Sequence, residues 1–183
     1  MTADRERQLI IKAQEGSHEA FRSLVEMYMK PAYDLAYSFV NDHDDAEDVA
    51  QDSFVKVFHY IRSFRLEAEF STWLYRIVTN ASLDRLKQRK RKTSRHMRIE
   101  DPETLAVADN PGSIENLDLT MHIERALHEL PTLQRAVVIL RHIDGLPTKT
   151  VSEILKCSQG TVKTHLHRGL KKMRSLLQHV RED

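Results

Sequence analysis

Cysteine is nearly missing from this chain. Cys157 is the only one, which excludes an intramolecular disulfide and any zinc site built on several thiolates. Beside the first turn of a helix its thiol could be activated, although a small turn residue is the simpler role. Glycine and proline are scarce as well, with five of each in 183 residues, a composition that suits helices better than turn-rich sheets. No strand–helix–strand alternation and no glycine-rich phosphate loop can be read. No apolar run is long enough to span a membrane and no signal segment opens the chain, so a cytoplasmic location without membrane contact of its own is expected. The ten histidines are scattered. His165 and His167, two apart on a helix, point to different sides, and Asp42-His43-Asp44 has no spaced partner. Neither a nucleophile–base pair nor a metal-ligand set is found. The expectation is therefore no catalytic residue, no metal, no cofactor and no enzyme.

Net charge is also small, at +1, but it conceals segregation. Residues 85–98 carry Arg85, Lys87, Arg89, Lys90, Arg91, Lys92, Arg95 and Arg98 with no acid. Residues 99–118 carry Glu100, Asp101, Glu103, Asp109, Glu115 and Asp118 with no base. Such blocks imply different partners for different segments, and the basic one suits a polyanion such as nucleic acid.

What is present is strongest near the carboxyl end. Residues 148–174 read as two short helices joined by a tight turn. Val151, Ile154 and Leu155 form the apolar stripe of the first. Ser158 is a good N-cap for the second, on which Val162, Leu166, Leu170 and Met173 share one face. Lys163, Thr164, His167, Arg168 and Lys171 fall opposite, and no acid occurs between Glu153 and Glu182. A compact helix pair with a cationic second helix fits a DNA major groove, although any helical bundle can carry a solvated basic face. Ser152 is small where the helices are expected to cross. Lys156 stands where such a turn often takes glycine; a left-handed conformation there would cost a non-glycine residue roughly 1–2 kcal/mol.

Upstream, residues 4–14 read as a short polar helix, and Ser17 as the cap of a helix toward Met29. Pro31 is expected to start a new segment or kink one long helix. After a break at Asn41-Asp42 the next helix opens in acid, with Asp42, Asp44, Asp45, Glu47, Asp48 and Asp52, more carboxylates than capping requires. Residues 62–71 read as a loop bearing Phe64 and Phe70. Ser71 is expected to cap a long helix through about Arg91, with Trp73, Leu74, Ile77, Val78 and Ala81 inward and Arg76, Asn80 and Asp84 on another side. Aromatics beside positive charge suit stacking on unpaired bases, and equally suit a core. Residues 93–117, with Pro102, Pro111, Gly112 and an acidic excess, read as a flexible linker. A helix over 118–129 follows, then one from Pro131-Thr132 with Leu133, Val137, Val138 and Leu140 inward, then a turn at Asp144-Gly145-Leu146-Pro147. The expected fold is all-α: two small helical domains, 1–92 and 118–183, joined by the linker 93–117.

With both halves in view, the chain resembles the bacterial RNA polymerase sigma factors of the extracytoplasmic function (ECF, group IV) subfamily. The resemblance is carried by Asp45-Ala-Glu-Asp-Val-Ala-Gln-Asp-Ser-Phe54, Phe70-Ser-Thr-Trp-Leu-Tyr-Arg-Ile-Val-Thr-Asn80, Leu130-Pro-x-x-x-Arg135, Asp144-Gly-Leu146 and Gly160-Thr-Val-Lys-Thr-x-Leu-His-Arg168. These occur in the family's order over nearly the whole chain. Thr148-Lys149-Thr150 departs from the pattern, which usually has an aromatic followed by two acids.

The resemblance implies sigma region 2 for 1–92 and region 4, with its helix-turn-helix, for 118–183. It implies binding to core RNA polymerase (the β′ clamp helices and the β flap) and to promoter DNA, together with control by an anti-sigma factor. Asp45, Asp48, Gln51 and Asp52 would then face the polymerase, with Val55 and Phe58 either at its apolar edge or in the core. Phe64, Arg65, Arg76 and Asn80 would recognise and melt the −10 element, with Trp73 either a wedge or a core residue. Arg85, Lys87, Lys90 and Arg91 would hold phosphates. Lys163, Thr164, His167 and Arg168 would read the −35 element, Gly160 and Thr161 would offer backbone N–H groups to a phosphate, and Lys171, Lys172 and Arg174 would trail along the backbone. A stand-alone helix-turn-helix regulator is the rival reading, but it leaves the acidic helix and the aromatic loop unexplained.

Overall fold

The structure, a computed structural model, describes residues 3–96 and 114–178. Every regular element among them is helical, and the chain divides into two compact units, residues 1–85 and 86–183. The division falls inside a helix, just after Arg85. Most of the linker expected over 93–117 lies outside the described residues, although helix reaches His96 on one side and begins at Ile114 on the other.

The first unit starts with α1 (Ala3–Gln14), which ends at Gly16 with φ +98. Ser17 caps α2 (His18–Val40), its hydroxyl accepting from the Ala20 N–H at 3.2 Å. The helix runs through Pro31 as one element, because buried Leu24 before the proline and Ala32, Leu35 and Ala36 after it hold both halves against the same core. Asn41 ends it in the left-handed conformation, and the Asp42 carboxylate caps α3 (His43–Tyr60) by accepting from Asp45 N–H at 2.9 Å. Ala46, Val49, Ala50, Phe54 and Val57 form the buried stripe of α3. A 3-10 turn (Ile61–Ser63) leads into the loop before α4 (Phe70–His96). This helix begins at Phe70, so Ser71 lies in its first turn and does not cap it. Leu74 and Val78 are fully buried; Trp73, Ile77 and Ala81 are half-buried.

The second unit contains α5 (Ile114–His128), α6 (Thr132–Val138), a π-helical turn (Ile139–Ile143), α7 (Thr148–Ile154) and α8 (Gln159–Leu176). Its core is Leu127, Leu130, Val137, Val138, Ile139, Leu140, Val151, Ile154 and Val162. Leu133, expected inward, is 37 % exposed, since it occupies the first turn of α6 and burial begins at Arg135. That arginine is itself buried and donates to His128 Nδ1 at 2.5 Å. Burial and the neighbouring guanidinium push the His128 pKa down to about 4, which keeps the ring neutral and able to accept. Where α8 meets α6 the contact falls on Gly169: a Cβ there would lie 2.8 Å from Val138 Cγ2. The Ser152 hydroxyl donates to Lys149 O within α7. Lys172 Nζ donates to Glu129 O at 2.5 Å, just past the carboxyl end of α5.

Candidate nucleic-acid and protein interfaces

The turn between α7 and α8 has the geometry a helix-turn-helix requires. Lys156 adopts φ +51, the left-handed conformation, and Ser158 caps α8 by accepting from Thr161 N–H at 3.0 Å. Val162 is fully buried and fixes the inner side of the helix. Gly160, Lys163, Thr164, His167, Arg168 and Lys171 are exposed on the outer side and Thr161 is half-buried. The Thr164 hydroxyl donates to Gly160 O at 2.9 Å, so its oxygen remains an acceptor with a fixed orientation. Cys157 is half-buried, and its thiol pKa is raised by burial, which disfavours the reactive thiolate.

In the first unit the aromatic loop is more closed than its sequence suggests. Phe64 is only 8 % exposed and packs on Trp73 at 4.9 Å and edge-on to Phe70 at 5.8 Å between ring centroids. Phe70 is buried and leans on Tyr28. Trp73 is half-buried, so one part of its ring belongs to this cluster and another meets solvent. Arg65 on the loop and Arg76 and Asn80 on successive turns of α4 are exposed, as are Glu67 and Glu69 on the loop. Further along α4, Lys87, Lys90 and Arg91 are exposed.

Arg85 is different. Its guanidinium contacts Asp45 at 2.5 Å and Asp48 at 2.9 Å, joining α4 to the acidic start of α3. The hydrogen bond to Asp45 is the main reason its pKa is raised. Asp45 is the more enclosed carboxylate, with 14 % of its side chain exposed against 59 % for Asp48. One residue expected among the phosphate contacts thus meets two expected at the polymerase surface. On the rest of that surface Gln51 donates to Glu47 at 3.0 Å, and Asp52 and Val55 are exposed. Val55 and Phe58 are 54 % and 46 % exposed, so both lie outside the core. The Phe58 ring meets Phe21 edge-on at 5.1 Å and stacks on His18 at 5.9 Å. The resulting α3 face is acidic at its start and apolar toward its end. No group of three or more His, Cys, Asp or Glu placed to hold a metal occurs among the described residues.

Two structural residues were not found by pattern. Gln14 donates from its amide nitrogen to Ile61 O at 2.9 Å and Phe64 O at 2.8 Å, a link across 47 and 50 residues that has no local signature. Gly169 did carry a signal, as a lone glycine in the middle of a helical pattern.

Residues 24–92 match the family described as Sigma-70 region 2, and residues 120–173 that described as Sigma-70, region 4. The ECF RNA polymerase sigma factor SigW of Bacillus subtilis is 34 % identical over 92 % of this chain and 94 % of its own length. The ECF RNA polymerase sigma-E factor of Haemophilus influenzae is 32 % identical over 93 % and 94 %. Among solved structures, CnrH in complex with the cytosolic domain of CnrY is similar with a TM-score of 0.70 and 26 % identity, over 95 % of this chain and 97 % of CnrH. The sigma factor RpoE of Bartonella quintana, solved with the anti-sigma factor NepR, shares the fold with a TM-score of 0.70 at 24 % identity, over 86 % and 96 %.

Proposed function

Because the chain belongs to the ECF group of RNA polymerase sigma factors, we propose that its first unit docks on core polymerase through α3 and opens the −10 element, while α8 reads the −35 element. The observation that carries this reading is the pairing, in one chain, of an exposed acidic-to-apolar α3 face with an exposed, acid-free α8. Carboxylates at Asp48 and Asp52 suit a basic coiled coil such as the β′ clamp helices, giving orientation and fast association, while Val55 and Phe58 add apolar area at the edge.

Opening a promoter needs no bond cleavage by the protein. Bases of one strand are captured as they leave the stack, and a polar pocket beside aromatic faces offsets an unstacking cost of a few kcal/mol per base. Arg65, Arg76 and Asn80, which are exposed, would meet such bases. Phe64 acts from behind, as the ring on which Trp73 rests. Lys87, Lys90 and Arg91 hold phosphates and supply salt-dependent affinity, whereas Arg85 bridges α4 to Asp45 and Asp48. On α8, Lys163, Thr164, His167 and Arg168 face base edges, Gly160 and Thr161 a phosphate, and Lys171 the backbone.

The chain is thus a specificity subunit without a catalytic centre of its own, acting in the cytoplasm where its polymerase is. An anti-sigma partner would silence it by covering the α3 face or α8. No helix among the described residues is long and apolar enough to cross a membrane. The test is transcription from genomic fragments by purified core polymerase with the added chain. Specific transcripts should appear, and Asp48→Lys with Asp52→Lys should abolish them while α8 still binds duplex DNA. Tight DNA binding without any specific transcript would instead identify a stand-alone regulator.

A further inference from the structure

We propose that Gln14, in a helix outside both family matches, is a positioning residue for the promoter-opening loop; the inference rests on reading residues 62–71 as that loop. Its amide NH2 group has two donors, and both are used on main-chain carbonyls, Ile61 O at 2.9 Å and Phe64 O at 2.8 Å. Two carbonyl partners also fix which way the amide faces, since only its nitrogen can donate to them. Ile61 O accepts a second bond, from Phe64 N–H at 3.0 Å. The 3-10 turn that ends α3 is therefore closed from within by its own backbone and from outside by α1.

The anchor is itself rigid. Glu15, Gly16 and Ser17 N–H groups donate to Ile11, Ala13 and Lys12 carbonyls at 3.0, 3.1 and 2.9 Å, so the end of α1 is wound into the turn that starts α2. Gly16 has φ +98, and a Cβ there would come within 3.8 Å of an Arg62 guanidinium nitrogen, which shows how closely the turn and the loop approach. At the other end of the bond, Phe64 packs edge-on to Phe70 and tilted against Trp73. Residues 65–69 are thus suspended between two fixed points: Phe64, held by Gln14 through its carbonyl and by aromatic packing through its ring, and Phe70, buried in the core. Arg65 is the first residue beyond the anchor. A shift of the Phe64 backbone would move Arg65 and tilt the ring under Trp73 together, although Gln14 itself touches neither DNA nor polymerase.

The chemistry makes the proposal testable by substitution. Gln14→Glu places a carboxylate against two carbonyl oxygens and removes both donors; Gln14→Leu keeps the bulk and removes them; Gln14→Lys restores donors at similar reach. The full-length chain with core polymerase would be followed on a duplex promoter and on the same promoter pre-melted at the −10 element. Gln14→Glu should slow opening of the duplex by about tenfold and Gln14→Leu by about threefold, with the pre-melted template and core affinity changed by less than about twofold. Gln14→Lys should recover most of the wild-type rate. Wild-type opening by both Gln14→Glu and Gln14→Leu would overturn the proposal. So would equal losses on both templates, which indicate a folding defect. Arg65→Ala and Asn80→Ala in the same assay separate the two levels of inference: defects there with normal Gln14 variants sink only the anchor, whereas normal opening by those two removes the loop reading itself.

Discussion

Gly169→Ala opposes two effects that can be weighed separately. In an exposed helix the change stabilises by about 1 kcal/mol, because alanine loses less backbone entropy than glycine. At this position the new methyl would sit 2.8 Å from Val138 Cγ2, closer than Cβ atoms are found to approach other heavy atoms. Val138 is 3 % exposed, so its methyl cannot simply swing into solvent. Overpacking of this kind costs about 1–3 kcal/mol. The other neighbours, Gln134 O at 3.5 Å and Gln134 Cβ at 3.6 Å, are ordinary contacts. The net expectation is a loss of about 1 kcal/mol in the second unit, read as a lower denaturant midpoint, with weaker −35 binding as α8 shifts off α6. Val138→Ala in the same background removes the offending methyl, so the double-mutant cycle should show a favourable coupling of about 1 kcal/mol or more. A Gly169→Ala protein that is more stable than wild type, with effects additive to those of Val138→Ala, would refute the claim that this helix crossing needs glycine.

Lys156→Gly relieves a left-handed non-glycine residue, worth roughly 1–2 kcal/mol, against an added unfolded-state entropy of about 0.5–1 kcal/mol. It should therefore raise the thermal midpoint of the second unit, whereas Lys156→Ala should not; a rise of the same size with alanine would exclude backbone strain as the cause. Arg168→Ala should cost roughly 1–3 kcal/mol on the right −35 sequence and less on altered ones if it reads a base, as titration across single-site variants would report; an equal loss on every sequence would reduce it to a phosphate contact. The pH dependence of the second unit combines two groups of opposite sign. His128, with a folded pKa of about 4, binds a proton more readily when unfolded, so its contribution is intact above about 6.5 and is lost as pH falls toward 4. Asp144, pushed up to about 6 by burial, binds a proton more readily when folded, so acidification from 6 toward 3.8 favours the fold. The two offset each other in wild type. Denaturation of Asp144→Asn should show stability falling over that window, and of His128→Gln stability rising; matching pH profiles for the two variants would contradict both assignments.

The elements legible in the sequence are those set by neighbours along the chain. Caps at Ser17, Asp42 and Ser158, the break at Asn41 and the strained turn at Lys156 are decided within a few residues, and each is where local chemistry puts it. The apolar spacing of α8 likewise exposes Lys163 and Arg168 and buries Val162. The less legible features join residues far apart. A phenylalanine in a ten-residue loop looks available for stacking on a base, and only the arrival of Trp73 and Phe70 from α4 encloses Phe64. Pro31 looks like a boundary until the core on both sides of it is known. Arg85 stands at the start of a basic run and so looks like a phosphate contact, yet its nearest charges are on a helix forty residues earlier. That last discrepancy bears on mechanism. Asp45 and Asp48 lie on the face assigned to polymerase, and Arg85 lies on the helix that carries Arg76 and Asn80, so a single guanidinium spans two surfaces that sequence treats as independent. The pair with exposed Asp48 is solvated and contributes little, whereas the enclosed Asp45 carries the main hydrogen bond. The α3 face proposed for polymerase and the side of α4 proposed for DNA are therefore tied together, within the first unit, by the Arg85 ion pairs.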